Sequence, residues 1–253
     1  MKIYNAFGIK PTNTYVSAGS DYYIPNIDDF DIKKSSEALK SFEKSYGVSY
    51  DDIKIVRNQF EVLEDTNETN QITNMIHLFL ALGNKKLDEL KKFSLVDAVD
   101  YFYEEYLIED NNGNVGIKLK LNDTLFINSG IKVALDTVLQ EQGTEDVEIV
   151  RSLGIGVAGL YVNKSGMGNR GFDVRACLVD EDYGGYVHLS MAYTKDVFEN
   201  GKNIVYVGDK LVQMMLIPVF HTQYKEVDEL EYNTIMSESE RGDSGFGSSD
   251  VKR

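Results

Sequence analysis

The sequence predicts a mainly β protein, a barrel or sandwich of short strands, interrupted by one helical stretch. Three observations carry this. Runs of strand formers such as Ile131-Lys-Val-Ala-Leu135 and Val212 to Val219 are separated by turn signals at Asn112-Gly113, Ser129-Gly130, Gly184-Gly185 and Asn200-Gly201. Ile117, Leu119 and Leu121 alternate with polar residues, and Tyr186 to Ser190 do so less cleanly. Apolar stripes with a helical period occur only between residues 26 and 112.

In chain order, residues 1–25 contain Tyr and Gly and read as extended. In the helical stretch, Leu39, Phe42 and Tyr46 form one stripe, continued by Ile53, Val56, Phe60 and Leu63. Ile72, Met75, Ile76, Phe79 and Leu80 form the next, and Leu95, Val99, Phe102, Tyr103 and Tyr106 the last, opened by the capping pattern Ser94-Leu-Val-Asp97. With 19 acidic and 10 basic residues, this stretch holds most of the protein's net negative charge. From about residue 113 the chain returns to strands.

Composition excludes several classes of function. Acidic residues outnumber basic ones 41 to 26, a net charge of −15, so no basic face is available for nucleic acid. No run reaches the ~20 apolar residues of a membrane span; the longest, Leu211 to Phe220, is interrupted by Gln213 and Pro218 and reads as a buried strand. The opening residues lack the apolar core of a secretory signal, and the single cysteine, Cys177, fits a reducing compartment, so a cytoplasmic location is expected.

Familiar motifs fail on context. Gly154-Ile-Gly156-Val-Ala-Gly159 and Gly166-Met-Gly168-Asn-Arg-Gly171 match a dinucleotide fingerprint, but strand-like Leu160-Tyr-Val162 and Phe172-Asp-Val174 follow where a helix is required. No P-loop and no nucleophile elbow occur. His77, His188 and His221 have no carboxylate or cysteine at metal-ligand spacing, and His77, beside an apolar stripe, reads as a satisfied structural residue.

Five short segments remain: Ala18-Gly-Ser-Asp21, Lys164-Ser-Gly-Met-Gly168, Leu178-Val-Asp-Glu-Asp-Tyr-Gly-Gly185, Gly208-Asp-Lys-Leu-Val-Gln213 and Arg241-Gly-Asp-Ser-Gly-Phe-Gly-Ser-Ser249. Singly they have plain explanations, as turn residues or a loose terminal tail. Together, in this order, they resemble the five motifs of the homotrimeric dUTPases. Connecting text agrees, in Ile127-Asn-Ser-Gly-Ile-Lys-Val-Ala-Leu135, Pro218-Val219 and Glu226-Val-Asp-Glu-Leu230. The resemblance implies a dUTPase-like β-barrel or jelly-roll core from residues 1–25 and 113–253, with a C-terminal lid at about 237–253. Residues 26–112 are then an inserted α-helical subdomain in place of a surface loop between the first and second motifs.

The implied activity is hydrolysis of dUTP to dUMP and pyrophosphate by water attack on the α-phosphate. Asp180 is the implied catalytic residue, activating the water. Tyr183 packs on the deoxyribose and excludes a 2′-hydroxyl. Uracil is read by the main chain between Phe172 and Asp180, Val174 included. Lys164, Ser165, Gly166, Gln213 and Arg241 hold phosphates, while Gly245, Phe246, Gly247 and Ser248 belong to the closing lid, with Phe246 over the uracil. The implied cofactor is Mg²⁺, held by the phosphates and water, with Asp21 as an outer-shell partner and no direct protein ligand. A trimer builds each site from three chains: first, second and fourth motifs from one, the third from another, the fifth from the last.

Some residues depart from the family pattern. Lys164 stands where Arg is usual and lacks the planar fork. Ser20 replaces an aromatic, Ser244 and Asp250 replace glycines, and the segment between Leu135 and Gly154 is longer and more acidic than usual. Two alternatives accompany this reading. One is a dUTP-binding regulatory protein that captures a protein partner through residues 26–112, a kind of second role known for viral relatives of the family. The other is a dCTP deaminase, which needs a glutamate where Ser190 stands.

Overall fold

The computed structural model describes residues 1–13, 17–27, 36–49, 51–52, 55, 72–82, 104–141, 147–195 and 202–239. The stripe residues Ile53, Val56, Phe60, Leu63, Leu95, Val99, Phe102 and Tyr103 lie outside them, as does the turn at Asn200-Gly201. The chain divides into two compact units, Met1–Val219 and Phe220–Arg253.

The first unit opens with strands β1 (Lys2–Asn5) and β2 (Ser20–Tyr23), then helices α1 (Ser36–Tyr46) and α2 (Ile72–Ala81). Strands β3 (Leu107–Glu109), β4 (Val115–Lys118), β5 (Thr124–Asn128) and β6 (Ile131–Ala134) follow. A 3₁₀ turn at Leu135–Thr137 leads to α3 (Val138–Glu141) and α4 (Val147–Ser152), which occupy the long acidic segment. Then come β7 (Ile155–Asn163), α5 (Ser165–Arg170), β8 (Phe172–Val174), β9 (Leu178–Val179), β10 (His188–Tyr193), β11 (Ile204–Tyr206) and β12 (Lys210–Phe220).

Four small sheets result, ordered β1-β6, β5-β10-β8, β11-β4-β3 and β2-β12-β7-β9. The fold is mainly β, with antiparallel pairing throughout the recorded registers. β5 turns into β6 through Ser129-Gly130. Gly130 has φ +69°, a backbone conformation costly for residues with a Cβ, so the turn signal read from sequence has a steric basis. The second Gly-rich fingerprint, Gly166 to Gly171, lies inside and at the end of α5 rather than ahead of it, which removes the dinucleotide geometry.

Both described helices of the 26–112 stretch keep the expected stripes inward. Phe42 of α1 and Met75, Ile76, Phe79 and Leu80 of α2 are buried in one cluster with barrel residues Ile117, Leu125, Ile127 and Leu189. One expectation fails in detail: the helical character does not run to residue 112. Leu107–Glu109 is a strand, β3, paired antiparallel with β4 through Leu107 opposite Ile117.

Polar contacts fix α1 on the barrel. The buried Asn128 at the end of β5 donates from Nδ2 to Ser41 Oγ at 3.0 Å and Ser45 Oγ at 2.9 Å, and from its main chain to Tyr46 Oη at 2.9 Å. Its Oδ1 accepts from Gly130 N at 2.9 Å, so the buried amide is fully partnered. Tyr46 Oη also meets His77 Nε2 at 2.6 Å. His77 is therefore structural, as expected, but only half satisfied: Nδ1 has no hydrogen-bond partner among the described residues. Burial pushes its imidazole down to about 3. Asn74 ties α2 to the segment after β2, accepting from Ile27 N at 2.9 Å and donating to Asn26 Oδ1 at 2.8 Å.

The second unit is described as far as Ser239 and contains α6 (Glu229–Ile235). Asp228 caps it, its Oδ1 accepting from Glu231 N at 2.8 Å.

Candidate active site

Strand pairing brings three of the five motifs together around one carboxylate. Asp21 sits in β2 opposite Gln213 of β12, and its main chain is bridged on the other side to Thr12, with N–H to O distances of 2.7 and 3.2 Å. β7 is the next strand after β12, and it delivers Lys164 just past its end, at the N-cap of α5. Lys164 Nζ donates to both Asp21 oxygens at 3.0 and 3.1 Å. Gln213 Nε2 donates to Oδ1 at 3.0 Å, and Lys210 Nζ pairs with Oδ2 at 3.0 Å.

Lys210 was not among the residues expected from sequence. Three positions apart on a strand, Lys210 and Gln213 point to opposite faces, since side chains alternate. A register irregularity between Lys210 and Val212 resets that alternation, so both reach Asp21. Partial burial raises the Asp21 pKa, but the hydrogen bonds from Gln213, Lys164 and Lys210 outweigh it and hold the carboxyl below its ordinary value. The same pairing with Asp21 raises the Lys210 ammonium above its usual value. Asp21 is thus an ionised anchor that gathers two ammonium groups and an amide on one rim, a donor set suited to phosphate oxygens.

Ser165 and Gly166 follow directly as the first, exposed residues of α5. Their N–H groups lie in the first helical turn, where no intrahelical acceptor exists. A Cβ on Gly166 meets nothing within 4 Å, so the backbone is open to close approach. Arg170, also missed from sequence, holds α5 against the fourth motif. Its Nε donates to Lys202 O at 3.0 Å, and Nη1 lies 3.8 Å from Asp209 Oδ2.

The third motif lies elsewhere on the same sheet. β9 is the edge strand opposite β2, and Asp180 follows it, exposed. Three strand spacings of about 4.8 Å separate the edges, roughly 14 Å. Asp180 makes no hydrogen bond or ion pair with the Asp21 cluster of its own chain among the described contacts. Its neighbour Glu181 is clamped, accepting from Arg151 Nη2 of α4 at 2.9 Å. Tyr183 Oη donates to Tyr186 O at 2.9 Å, and the ring lies over Gly185 so closely that a Cβ there would be 2.5 Å from Oη.

In the segment between the second and third motifs, Asn163 organises the turn: Val174 N donates to its Oδ1 at 2.9 Å, and its Nδ2 donates to Asp173 Oδ1 at 3.0 Å. Cys177 O accepts from Tyr161 N at 2.6 Å. The main-chain N–H of Val174 is therefore already engaged. The lid residues Arg241, Gly245, Phe246, Gly247 and Ser248 lie outside the described residues. Among the described residues no three His, Cys, Asp or Glu side chains gather to hold a metal directly. No helix among them is long and apolar enough to cross a membrane.

The dUTPase family model matches residues 130–250, a span that includes Lys164, the third and fourth motifs and the terminal glycine-rich segment. The deoxyuridine 5'-triphosphate nucleotidohydrolase of Shewanella baltica strain OS155 is 31% identical over 130 residues, covering 48% of this chain and 79% of that protein. The enzyme of the same name from variola virus is 29% identical over 96 residues, 37% of this chain and 57% of its own. A solved dUTPase of Staphylococcus bacteriophage 80alpha has a TM-score of 0.38 and 17% identity, covering 56% of this chain and 88% of its own. From the extent of the Shewanella match and the family model, the chain belongs to the dUTPase family.

Proposed function

We infer that this chain is a dUTP diphosphatase, hydrolysing dUTP to dUMP and pyrophosphate. The observation that supports this best is the convergence of Asp21, Lys164, Lys210 and Gln213 from three separate motifs on one rim. In this reading Lys164, Lys210 and Gln213, with the main chain at Ser165 and Gly166, bind the triphosphate. Asp180 accepts a proton from the attacking water, and Tyr183 packs on the deoxyribose. Arg241, Gly245, Phe246, Gly247 and Ser248 close over the bound nucleotide.

Mg²⁺ fits this donor set: an ionised, partly buried Asp21 beside the phosphates serves as an outer-shell partner through water. When bound, the ion neutralises phosphate charge.

The separation of Asp180 and Asp21 across the sheet supports a homotrimer with shared sites. Sites assembled between chains place the third motif of one beside the cluster of another. The second unit, taken by itself, supports association, since Phe220, Tyr224, Leu230, Tyr232 and Ile235 are exposed by 70, 99, 77, 56 and 65%. Such a run of bare apolar side chains is suited to burial on a second copy. For the 26–112 stretch, the inward stripes of α1 and α2 favour a buttressing role over capture of a protein partner. The exposed Cys177 remains compatible with a cytoplasmic setting.

Pyrophosphate release from dUTP, dTTP, dCTP and UTP with Mg²⁺, for the wild type and Asp180→Asn, tests the proposal. Turnover confined to dUTP, and lowered at least a thousandfold by the substitution, is expected. Binding of dUTP without turnover by the wild type would make the protein a nucleotide sensor instead.

A further inference from the structure

A cavity of about 470 Å³ lies between α1 and the end of the third motif with the segment after it, a volume within the range of small-molecule sites. Three lysines line it, Lys40 and Lys44 of α1 and Lys132 of β6, and among the described residues no carboxylate does. This is a sharp local reversal in a chain of net charge −15. Lys40 and Lys44 are four residues apart, so their Cβ atoms lie about 5–6 Å apart on one helix face. Three cationic side chains lining one cavity favour an anionic occupant.

Their placement is built rather than incidental. Helix α1, which carries two of the lysines, is held by the Asn128 contacts to Ser41 and Ser45, and Ser45 Oγ also meets His188 Nε2 at 2.9 Å. Lys132 Nζ is seated 4.8 Å from the centroid of the Tyr186 ring. The cavity has an aromatic wall as well. Phe126 stacks on His188 with centroids 4.5 Å apart and planes 12° apart, yet remains 40% exposed, and Tyr183 lines the same space at 42%. None of these residues belongs to the Asp21 cluster.

We propose that this cavity binds a phosphate monoester carrying a flat ring, of the size of a nucleoside monophosphate, with Lys40, Lys44 and Lys132 on the phosphate and Phe126 against the ring. The helical insertion thereby forms one wall of a second nucleotide site beside Tyr183. Ligand in that site would restrain Tyr183 and so couple to dUTP turnover, a consequence that rests on the diphosphatase reading, whereas binding itself does not.

The test is isothermal titration of the full chain with AMP, whose purine does not suit a uracil-reading active site, beside inorganic phosphate. One AMP per chain is expected. Lys40→Gln with Lys44→Gln should weaken it at least tenfold while leaving unliganded dUTP hydrolysis and the melting temperature unchanged, because both side chains are exposed. Phe126→Ala should weaken AMP but not phosphate. Absence of AMP binding at millimolar concentration, or binding unmoved by the lysine substitutions, overturns the site; phosphate binding as tightly as AMP overturns the ring assignment. Loss of dUTP hydrolysis with AMP binding intact would count against the diphosphatase reading alone.

Discussion

Replacing Asp21 by Asn removes the anion that organises the phosphate-binding rim while keeping its size. In the wild type the carboxylate accepts from Lys164 at 3.0 and 3.1 Å and from Gln213 at 3.0 Å. Asp21 has 12% of its side chain exposed and Lys164 30%, so this pair is sheltered but not dry. Discounted for that exposure, the Lys164 and Gln213 contacts together are worth about 1–2 kcal/mol; Lys210, at the solvent edge, adds nothing to this figure. For a chain of this size that is a fall in melting temperature of roughly 2–8 °C at pH 7. Because folding depresses the Asp21 pKa, its contribution is complete above the unfolded value of about 3.9 and is lost as pH falls through the lower folded value. The wild-type advantage over Asp21→Asn, followed by urea unfolding, should therefore be constant from pH 7 to about 5 and narrow below about 4. Activity should fall about tenfold or more in kcat/KM for dUTP, chiefly through KM, since the lost groups hold phosphate in ground and transition state alike. Equal stability of the two proteins at pH 7, or a stability gap that does not narrow in acid, would contradict the anchoring role given to Asp21.

Gly185→Ala places a Cβ 2.5 Å from Tyr183 Oη and 2.6 Å from Cζ, so the ring must shift. The ratio of kcat/KM for dUTP over UTP should drop about tenfold or more, as one displaced wall is worth about 1.4 kcal/mol. His77 is buried neutral with its pKa near 3, so the unfolded chain takes up a proton between about pH 6.5 and 3 that the folded one refuses. Stability should fall with pH across that window by up to about 1.4 kcal/mol per unit, and His77→Phe should show a flatter pH dependence in melting experiments. Asn128→Ala strips Ser41 and Ser45 of their shared donor and should cost about 1–3 kcal/mol. Hydrogen exchange in α1 should rise more than in β12 if that amide is what fastens the helix.

Much of the fold was legible because its signals are local. Phe42 and Tyr46 on α1, and Met75, Ile76, Phe79 and Leu80 on α2, repeat at a spacing only a helix buries on one side. β3 was not legible: Leu107-Ile108-Glu109 is too short to alternate, and it becomes a strand only because β4 lies beside it. The same limit governs the site. Asp21, Lys164 and Gln213 could be marked from ordered motifs, but their mutual contact depends on β12 lying between β2 and β7. Lys210 required knowledge of an irregularity that no residue pattern announces. Arg151 and Glu181 stand 30 positions apart, joined only once α4 packs near the third motif.

The packing of α1 and α2 also decides how the role of the 26–112 stretch can be probed. Phe42, Leu78 and Phe79 share one buried cluster with Ile117, Leu125 and Ile127, and Leu82 forms a β-bridge to Leu125. Ile117, Leu125 and Ile127 are fully buried, and α1 and α2 are among the elements packed on their cluster. Cutting out the stretch would uncover apolar surface of that cluster, at about 25 cal/mol per Å² exposed. It would also strand the buried amide of Asn128. Loss of activity after such a deletion would then report unfolding rather than function. Substitutions on the outward side of α1 leave that core intact, so an effect of Lys40→Gln with Lys44→Gln on ligand binding can be assigned to the surface of α1. The same helix touches β5 through Asn128 and, through His188, the start of β10, the strand that follows the third motif.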